Sequence, residues 1–295
     1  MTTRDLEIFI SVAEHGNMSE AAKELYVAPS AVSQTILDIE KEYNTTLFIR
    51  MNKKLHITEK GKMLLSYAYH LIALNKEMEH RMREDIQACI HVGATVSIGA
   101  AIVGEIIQIY QTQYPHVRVE LNVCHSGDII RGLRRDELDL GLMIGDENDV
   151  VDLQSVPLLK DQVLLGCGSA HEFAKRASVL PEELTGQPFI LRQRGSQMRQ
   201  FYDILVRSYD IHPKELWTSS DALAQKNAVI ENQGIALLSS IFTRGDVKDG
   251  RLHLLGISGL NFSRRFDLVY HRQKFMNPDL KCFVDICLDH RKNLI

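Results

Sequence analysis

The chain of 295 residues is long enough for two or three domains, and its 45% hydrophobic and 24% charged residues are typical of a globular rather than a disordered protein. Its net charge of −4 does not by itself suggest a nucleic-acid partner. The start, MTTRDLEIFI, has no apolar segment before its first acidic residues, and the apolar stretch 93–104 is too short to cross a bilayer, so we expect neither a secretory signal nor a membrane span.

Three short helices are predicted between residues 6 and 44. The first has apolar residues at 6, 9, 10 and 13, which together form one buried face. The second begins after Asn17, a favoured capping residue, and Glu20 is placed to complete a capping box. After the turn 26–28, Pro29 occupies the first position of the third helix, where its missing N–H leaves no hydrogen bond unmade.

The third helix is too polar on one face to lie wholly in a core. Val32, Ile36 and Ile39 share the apolar face. The opposite face carries hydroxyl, amide and carboxylate groups, from Ser30, Ser33, Gln34 and Asp38. Hydroxyls reach phosphates and an amide can read a base edge, so we predict that Ser30, Ser33 and Gln34 contact double-stranded DNA. On these residues alone, a helical hairpin with a solvated face is the alternative.

Residues 47–57 predict a short hairpin beside these helices. Its apolar residues surround a basic turn, and we expect Arg50, Lys53 and Lys54 to contact phosphates, although a solvated turn is the alternative. Residues 1–58 carry six basic and eight acidic side chains, a net charge of −2. Because the basic residues cluster after the helices, we expect local attraction to phosphate and weak non-specific DNA binding.

A long helix is predicted from residue 59 to residue 87, with Thr58 as its cap. No proline or glycine interrupts 62–89, and apolar residues recur in steps of three and four. A helix of this length would span about 43 Å, too long to be buried inside a small domain. We therefore predict that Leu64, Leu71 and Met78 form a dimerisation seam with a second copy, the alternative being a helix packed on its own chain.

From residue 90 the pattern alternates between short apolar strands and amphipathic helices, which predicts parallel pairing and an α/β domain. The predicted strands are 90–94, 117–123, 138–144, 163–166, 189–191, 216–217, 235–238 and 265–270. The predicted helices are 99–113, 128–135, 181–184, 196–208, 222–232 and 278–288. Internal repeats and low-complexity stretches are absent from the sequence.

The amino-terminal residues resemble the DNA-binding domain of LysR-type transcriptional regulators. The matching residues are Leu6, Phe9 and Ala13, then 21–25, 30–33, Ile36, Ile39, Glu40, 47–50 and 55–61. Ala28 stands where the family usually has Ser or Thr, a loss of roughly 1 kcal/mol of helix capping. Asn44 replaces a frequent Gly, and Asn tolerates the left-handed conformation that ends a helix.

This resemblance implies a winged helix-turn-helix at 1–58, a linker and dimerisation helix at 59–89, and an effector-binding domain at 90–295. The last is expected to be a two-lobed α/β domain of the periplasmic-binding-protein type, with lobe I at 91–163 plus 266–295 and lobe II at 164–265. A ligand-responsive transcription regulator with this fold would be a homodimer or homotetramer in the cytoplasm. Its partners would be DNA and a small effector, and RNA polymerase is a further candidate.

Strand-to-helix turns are where open α/β sheets bind ligands. Those of the first lobe carry Thr95, Ser97 and Ser126. Those of the second carry Arg194, Ser196 and Thr218. Each hydroxyl alone is more often a helix cap, but the set predicts a cleft for a small anionic metabolite, and similar positions bind effectors in the family.

The residues do not favour an enzyme. Histidines at 116, 125 and 171 are scattered, the five cysteines form no C-x-x-C pair, and no phosphate-binding loop or nucleophile elbow is present. We therefore expect no catalytic residue, no metal site and no cofactor other than the effector. Two alternatives stay open: a thiol-based redox sensor that uses Cys124 or Cys167 on the same scaffold, and a solute-binding protein with an amino-terminal interaction module.

Overall fold

Three helices and a two-stranded hairpin make up the amino-terminal domain of the computed structural model, which describes residues 1–51, 54–82, 88–145 and 152–290. They are α1 (Thr3–His15), α2 (Met18–Glu24), α3 (Pro29–Glu42), β1 (Phe48–Met51) and β2 (Lys54–Ile57). Val32, Ile36 and Ile39 of α3 are buried against Phe9 of α1, as their spacing predicted. These elements form a winged helix-turn-helix.

Local hydrogen bonds set the angle between the helices and the hairpin. The Asn17 side chain accepts hydrogen bonds from the first turn of α2, as expected, but Glu20 pairs with Lys23 at 2.9 Å instead of completing a capping box. At the end of α3, the Glu40 carboxylate accepts a hydrogen bond from the backbone N–H of Leu47 at 2.6 Å. This bond fixes the start of the hairpin against α3.

Helix α4 (Glu59–Met82) follows the hairpin, and the expected continuation to residue 87 lies outside the described residues. Thr58 caps it, because its hydroxyl accepts from the N–H of Gly61 at 3.0 Å. A Cβ at Gly61 would lie 2.5 Å from the Leu47 carbonyl oxygen, so this contact requires glycine. Of the three predicted seam residues, Leu64 packs partly on its own domain, whereas Leu71 and Met78 are exposed.

The remaining chain alternates between strands and helices. Its strands are β3 (Ala88–Ala94), β4 (Val117–Val123), β5 (Leu140–Ile144), β6 (Leu153–Gly168), β7 (Ser178–Val179), β8 (Pro188–Arg192), β9 (Lys214–Ser219), β10 (Ala236–Ser239), β11 (Leu252–Ile257) and β12 (Phe262–His271). Its helices are α5 (Val96–Ile98), α6 (Gly104–Gln113), α7 (Ser126–Arg134), α8 (Gln197–Tyr209), α9 (Ala222–Ile230), α10 (Arg244–Lys248) and α11 (Pro278–His290). A π-helical turn, Gly99–Val103, joins α5 to α6, and 3₁₀ turns lie at Glu172–Lys175 and Pro181–Leu184.

Eight strands form one mixed sheet in the order β4-β3-β5-β12-β6-β11-β7, with β10 also paired to β6. Strand β3 is parallel to both β4 and β5, as predicted, whereas β12 is antiparallel to β5 and β6. Strands β8 and β9 form a separate parallel pair.

Two of these strands are longer than the sequence pattern predicted. Strand β6 was expected at 163–166 but begins at Leu153, and β12 was expected at 265–270 but covers Phe262–His271. Strands β7 and β11 and helix α10 were not expected at all. The two long strands pair along their length and cross the predicted lobe limits, so the two halves share a sheet. Each half has its own core, around Tyr110 in the first and Phe189 in the second.

The α/β region that follows α4, which is the expected effector region, also touches the expected DNA-binding domain of the same chain. Glu14 of α1 accepts a hydrogen bond from the Tyr69 hydroxyl of α4 at 2.7 Å, and it lies 3.0 Å from the Arg135 guanidinium. Burial and the Glu14 carboxylate raise the pKa of Tyr69, which keeps its hydroxyl protonated as a donor. One carboxylate therefore connects three parts of the chain.

Candidate effector cleft and DNA-binding face

The face of α3 opposite its buried residues is open to solvent. Ser30 and Gln34 are exposed and Ser33 is partly exposed, so the structure leaves all three able to reach a partner. The Gln34 amide nitrogen donates to Asp38 at 2.8 Å. This bond orients the amide and leaves its oxygen free to accept.

The hairpin next to α3 presents basic side chains. Arg50 and Lys54 are both exposed, on β1 and β2, one register step apart. Lys53 lies outside the described residues. Two cations beside a polar helix face fit the phosphate backbone of DNA.

Tyr26 is an exposed aromatic residue in the turn before α3. It is 95% exposed, has a positive φ of 56°, and comes three residues before α3 begins. Its side chain is therefore open to solvent beside the start of α3. The neighbouring residues in the sequence do not predict the positive φ of Tyr26.

A cleft of about 610 Å³ lies between the two halves of the effector region. Four of the six predicted effector residues line it: Thr95, Ser97, Ser126 and Ser196. The structure does not bring the other two to this cleft. Arg194 is exposed where the chain turns at Gly195, and Thr218 is exposed within β9, so neither is a lining residue, whereas Gln193 and Ser220 are.

Two arginines that were not predicted from the sequence line the cleft. Arg264, on β12, is almost fully buried, and its Nε donates to the buried Asp161 carboxylate at 2.7 Å. Arg192, at the end of β8, is half-buried and donates to the backbone oxygens of Ser219 and Ser220. Burial lowers the pKa of Arg192, the Asp221 carboxylate opposes this shift and Arg264 adds to it, but an arginine stays charged at neutral pH. Asp161 forms an ion pair with Arg264. The hydrogen bonds of Arg192 go to neutral backbone oxygens, and the Asp221 carboxylate acts on its charge without a direct ion pair among the described residues.

Three polar atoms around the cleft are buried and, within the described part of the chain, make no hydrogen bond. They are Thr95 Oγ1, Gln197 Oε1 and Arg264 Nη2, and their residues all line the cleft. Buried polar groups are rarely left unpaired, because each costs about 1–3 kcal/mol. The cleft therefore offers a hydroxyl, an acceptor and a charged donor to a ligand.

Backbone groups add to this polarity. Thr95 is not used as a side-chain cap, although it precedes α5, whereas the Ser196 hydroxyl caps α8 by accepting from the N–H of Arg199 at 3.2 Å. Helix α7 begins at Ser126, on the opposite wall from α8. Helix amino termini carry partial positive charge, which favours an anion between them.

The cysteine thiols in and near the cleft are held in their protonated form. Burial raises the pKa of Cys167 to about 11, and burial also raises that of Cys124, which lines the cleft. The thiolate is the reactive species. The raised pKa values disfavour the thiolate at both sites.

Comparisons with known proteins cover both regions. A family model described as the LysR substrate binding domain matches residues 84–292, and another, described as a bacterial regulatory helix-turn-helix protein of the lysR family, matches residues 3–62. The chain is 30% identical over 287 residues to the uncharacterized HTH-type transcriptional regulator YeiE of Escherichia coli (strain K12), with 97% of each chain covered. It is 25% identical over 268 residues to the HTH-type transcriptional regulator CysL of Bacillus subtilis (strain 168), covering 90% of this chain and 89% of that one.

The fold also matches solved structures. Full-length LysG from Corynebacterium glutamicum, with bound effector Arg, aligns with a TM-score of 0.72 at 15% identity, and 99% of each chain is covered. A full-length OxyR variant from Pseudomonas aeruginosa aligns with a TM-score of 0.63 at 17% identity, covering 99% of this chain and 95% of that one. Within the described ranges, each helix is too short or too polar to cross a membrane.

Proposed function

The chain belongs to the LysR family of bacterial transcriptional regulators, and from this premise we propose that a small anionic effector binds in its cleft and changes how the oligomer holds DNA. The observation that carries the proposal is the Arg192 guanidinium, which faces the cleft and is bonded to neutral backbone oxygens. A carboxylate, sulfate or phosphate group would form an ion pair with this guanidinium.

The other lining groups favour the same ligand. A bound anion can accept from the Thr95 hydroxyl, from Arg264 Nη2 and from the amino termini of α7 and α8. The two walls come from the two halves of the domain. A ligand that bridges them binds one relative arrangement of the halves better than another, and only such a difference in affinity shifts a conformational equilibrium.

The DNA-binding part of the proposal rests on α3 and its hairpin. Ser30, Ser33 and Gln34 would read or position the major groove, and Arg50 and Lys54 would contact phosphates. The exposed apolar side chains of α4 support a paired linker helix, with Leu71 and Met78 in the seam. Two paired chains place two recognition helices against the half-sites of one operator. Such a regulator works beside the chromosome in the cytoplasm and has no catalytic role, and RNA polymerase remains a candidate partner.

The experiment is a thermal-shift titration of the full chain with a panel of carboxylates, sulfate and phosphate, alongside uncharged analogues. A cleft ligand raises the melting temperature as its concentration passes Kd. The Arg192→Gln variant should lose the shift for anions. Arg194→Gln is the matched control, because Arg194 is two residues away and exposed to solvent, and it should keep the shift. Equal loss in both variants, or equal shifts for uncharged analogues, would contradict an anionic effector held by Arg192.

A thiol-based sensor is the second candidate that the scaffold allows. The raised pKa values of Cys124 and Cys167 favour the effector reading over it. A peroxide titration of operator binding, repeated with Cys124→Ser and Cys167→Ser, separates the two. Peroxide sensitivity that one of these variants removes would support the redox sensor.

A further inference from the structure

A cluster of metal-binding side chains lies on the sheet away from the effector cleft. Strands β3 and β4 run parallel, and their register pairs His91 with Glu120 and Cys89 with Arg118. Cys89 and His91 are two residues apart and therefore share a face of the sheet with Glu120. The Cys89 sulfur, a His91 ring nitrogen and a Glu120 carboxylate oxygen all lie within 4.8 Å of one another.

The His91 ring is already oriented for a metal ion. Its Nδ1 lies 3.4 Å from a carboxylate oxygen of Asp139, and the same oxygen accepts from the His91 backbone N–H at 2.7 Å. A proton on Nδ1, shared with Asp139, leaves the lone pair of Nε2 free, and Nε2 lies 3.8 Å from Glu120. A carboxylate that holds the second nitrogen of a ligating histidine is common in zinc sites.

We propose that Cys89, His91 and Glu120 bind a divalent metal ion of the zinc class. Thiolate, imidazole and carboxylate together are a donor set that suits Zn²⁺, and three protein ligands leave a fourth position for water or an added group. On binding, Cys89 loses its thiol proton to solvent as the metal–sulfur bond forms. No metal site was expected from the sequence, because the histidines considered are scattered and the cysteines form no C-x-x-C pair. Only the parallel pairing of β3 and β4 brings His91 and Glu120 together.

Arg118 is the competing partner in this cluster. Its guanidinium lies 2.9 Å from Glu120 Oε1, which leaves Oε2, on the side of His91, for the metal ion. Removing this positive charge should favour a cation at the site. The cluster also lines a hollow of about 860 Å³ between α4 and the effector region, so a bound ion would lie beside the linker helix.

The test uses Co²⁺ as a spectroscopic probe with the full chain, purified without a histidine tag and kept reduced. We expect one equivalent of Co²⁺ to give the charge-transfer absorption of a thiolate ligand, and Zn²⁺ to displace it. Cys89→Ser should abolish this absorption, and His91→Ala and Glu120→Gln should each weaken Co²⁺ binding at least tenfold. Cys282→Ser is the control, because Cys282 is also a partly buried free thiol and lies on α11, and it should leave the spectrum unchanged.

Arg118→Ala is a variant whose affinity for Co²⁺ should increase. Its Co²⁺ binding should be several-fold tighter, and the shape of the spectrum should not change. Melting curves without metal check that each variant is folded, and the partial exposure of Cys89 and Glu120 leaves little core to disturb. Thiolate absorption that persists in Cys89→Ser, or the lack of any such absorption in the unmodified chain, would overturn the proposal.

Discussion

His70 of the linker helix packs against His271 at the end of β12, with the ring centroids 3.9 Å apart and the ring planes tilted by 47°. The Ser66 hydroxyl lies 3.3 Å from Nε2 of His271, and an Asp136 carboxylate oxygen lies 3.5 Å from Nδ1 of His70. Lys274 holds the same Asp136 at 2.7 Å. The junction between α4 and the effector region is therefore polar, and it leaves Nε2 of His70 buried without a hydrogen-bond partner among the described residues. A change in the effector region that is transmitted through α4 would pass through these contacts.

The histidine junction predicts a loss of stability in mild acid. Burial, and next the charge of His70, lower the pKa of His271 from 6.5 to about 4, while Asp152 and Asp136 oppose the shift and Arg134 adds to it. Between these two values the unfolded chain binds a proton that the folded chain does not. The free energy of unfolding is therefore highest above pH 6.5, where His271 is neutral in both states. It decreases by up to about 3 kcal/mol as the pH falls to 4.

Melting temperatures between pH 7 and pH 4 test this, with the unmodified chain compared with His271→Gln. Glutamine keeps a polar group in the contact but does not titrate. The melting temperature of the variant should depend less on acid, so the difference in melting temperature between the two chains should change between pH 7 and pH 4. Parallel curves would mean that other groups cause the acid sensitivity.

Gln34 is predicted to read a base. Its amide donates a hydrogen bond to Asp38. Gln34→Ala removes the groups that could bond a base edge. Operator binding should therefore weaken by about 1–3 kcal/mol, and base preference should relax at one position. Lys54→Ala is the comparison. It should weaken binding to all sequences alike and reduce the salt dependence by about one phosphate contact. Anisotropy titrations over a set of operator variants separate these two patterns, and unchanged operator affinity of Gln34→Ala would refute this orientation of α3.

The sequence predicted the DNA-binding domain more completely than the cleft. Val32, Ile36 and Ile39 lie one helical turn apart, so a local period places them on one face. Arg192 and Arg264 belong to strands that are far apart in the sequence. Arg264 lies within β12, and its burial depends on the pairing of β12 with the long strand β6, which places it opposite Asp161. Arg192 ends β8, and the backbone oxygens that accept its hydrogen bonds lie at the end of the neighbouring strand β9. No local hydrophobic period in the sequence predicts these strand pairings.

The dimer seam is tested by Leu71→Lys. Leu71 is 50% exposed in the single chain, and pairing of α4 with its copy would bury it. A lysine there would place an unpaired charge in the seam, at a cost of at least about 2 kcal/mol per dimer. Sedimentation should show dissociation, together with loss of tight operator binding. Leu180→Lys is the control, since Leu180 is 54% exposed in the effector region. A stable Leu71→Lys dimer would move the interface away from α4.

Thr95 gives the sharpest test of the cleft, because its hydroxyl is buried and, among the described residues, finds no hydrogen-bond partner. If a ligand is its partner, Thr95→Val should not destabilise the chain without effector and could raise its stability by about 1 kcal/mol, since an unpaired buried hydroxyl is removed and the shape is kept. The same variant should lose its response to the effector while its operator affinity without effector stays nearly unchanged. Thr95→Ser keeps the hydroxyl and should keep the response.

Two measurements on one set of proteins decide this last prediction: melting temperature without effector, and operator affinity or footprint length during a titration with anions. Loss of response in the Val variant, with its stability retained and the Ser variant responsive, places the hydroxyl at the ligand. A strongly destabilised Val variant would instead give Thr95 a structural partner. A Val variant of unaltered sensitivity would mean that the effector is sensed elsewhere in the chain.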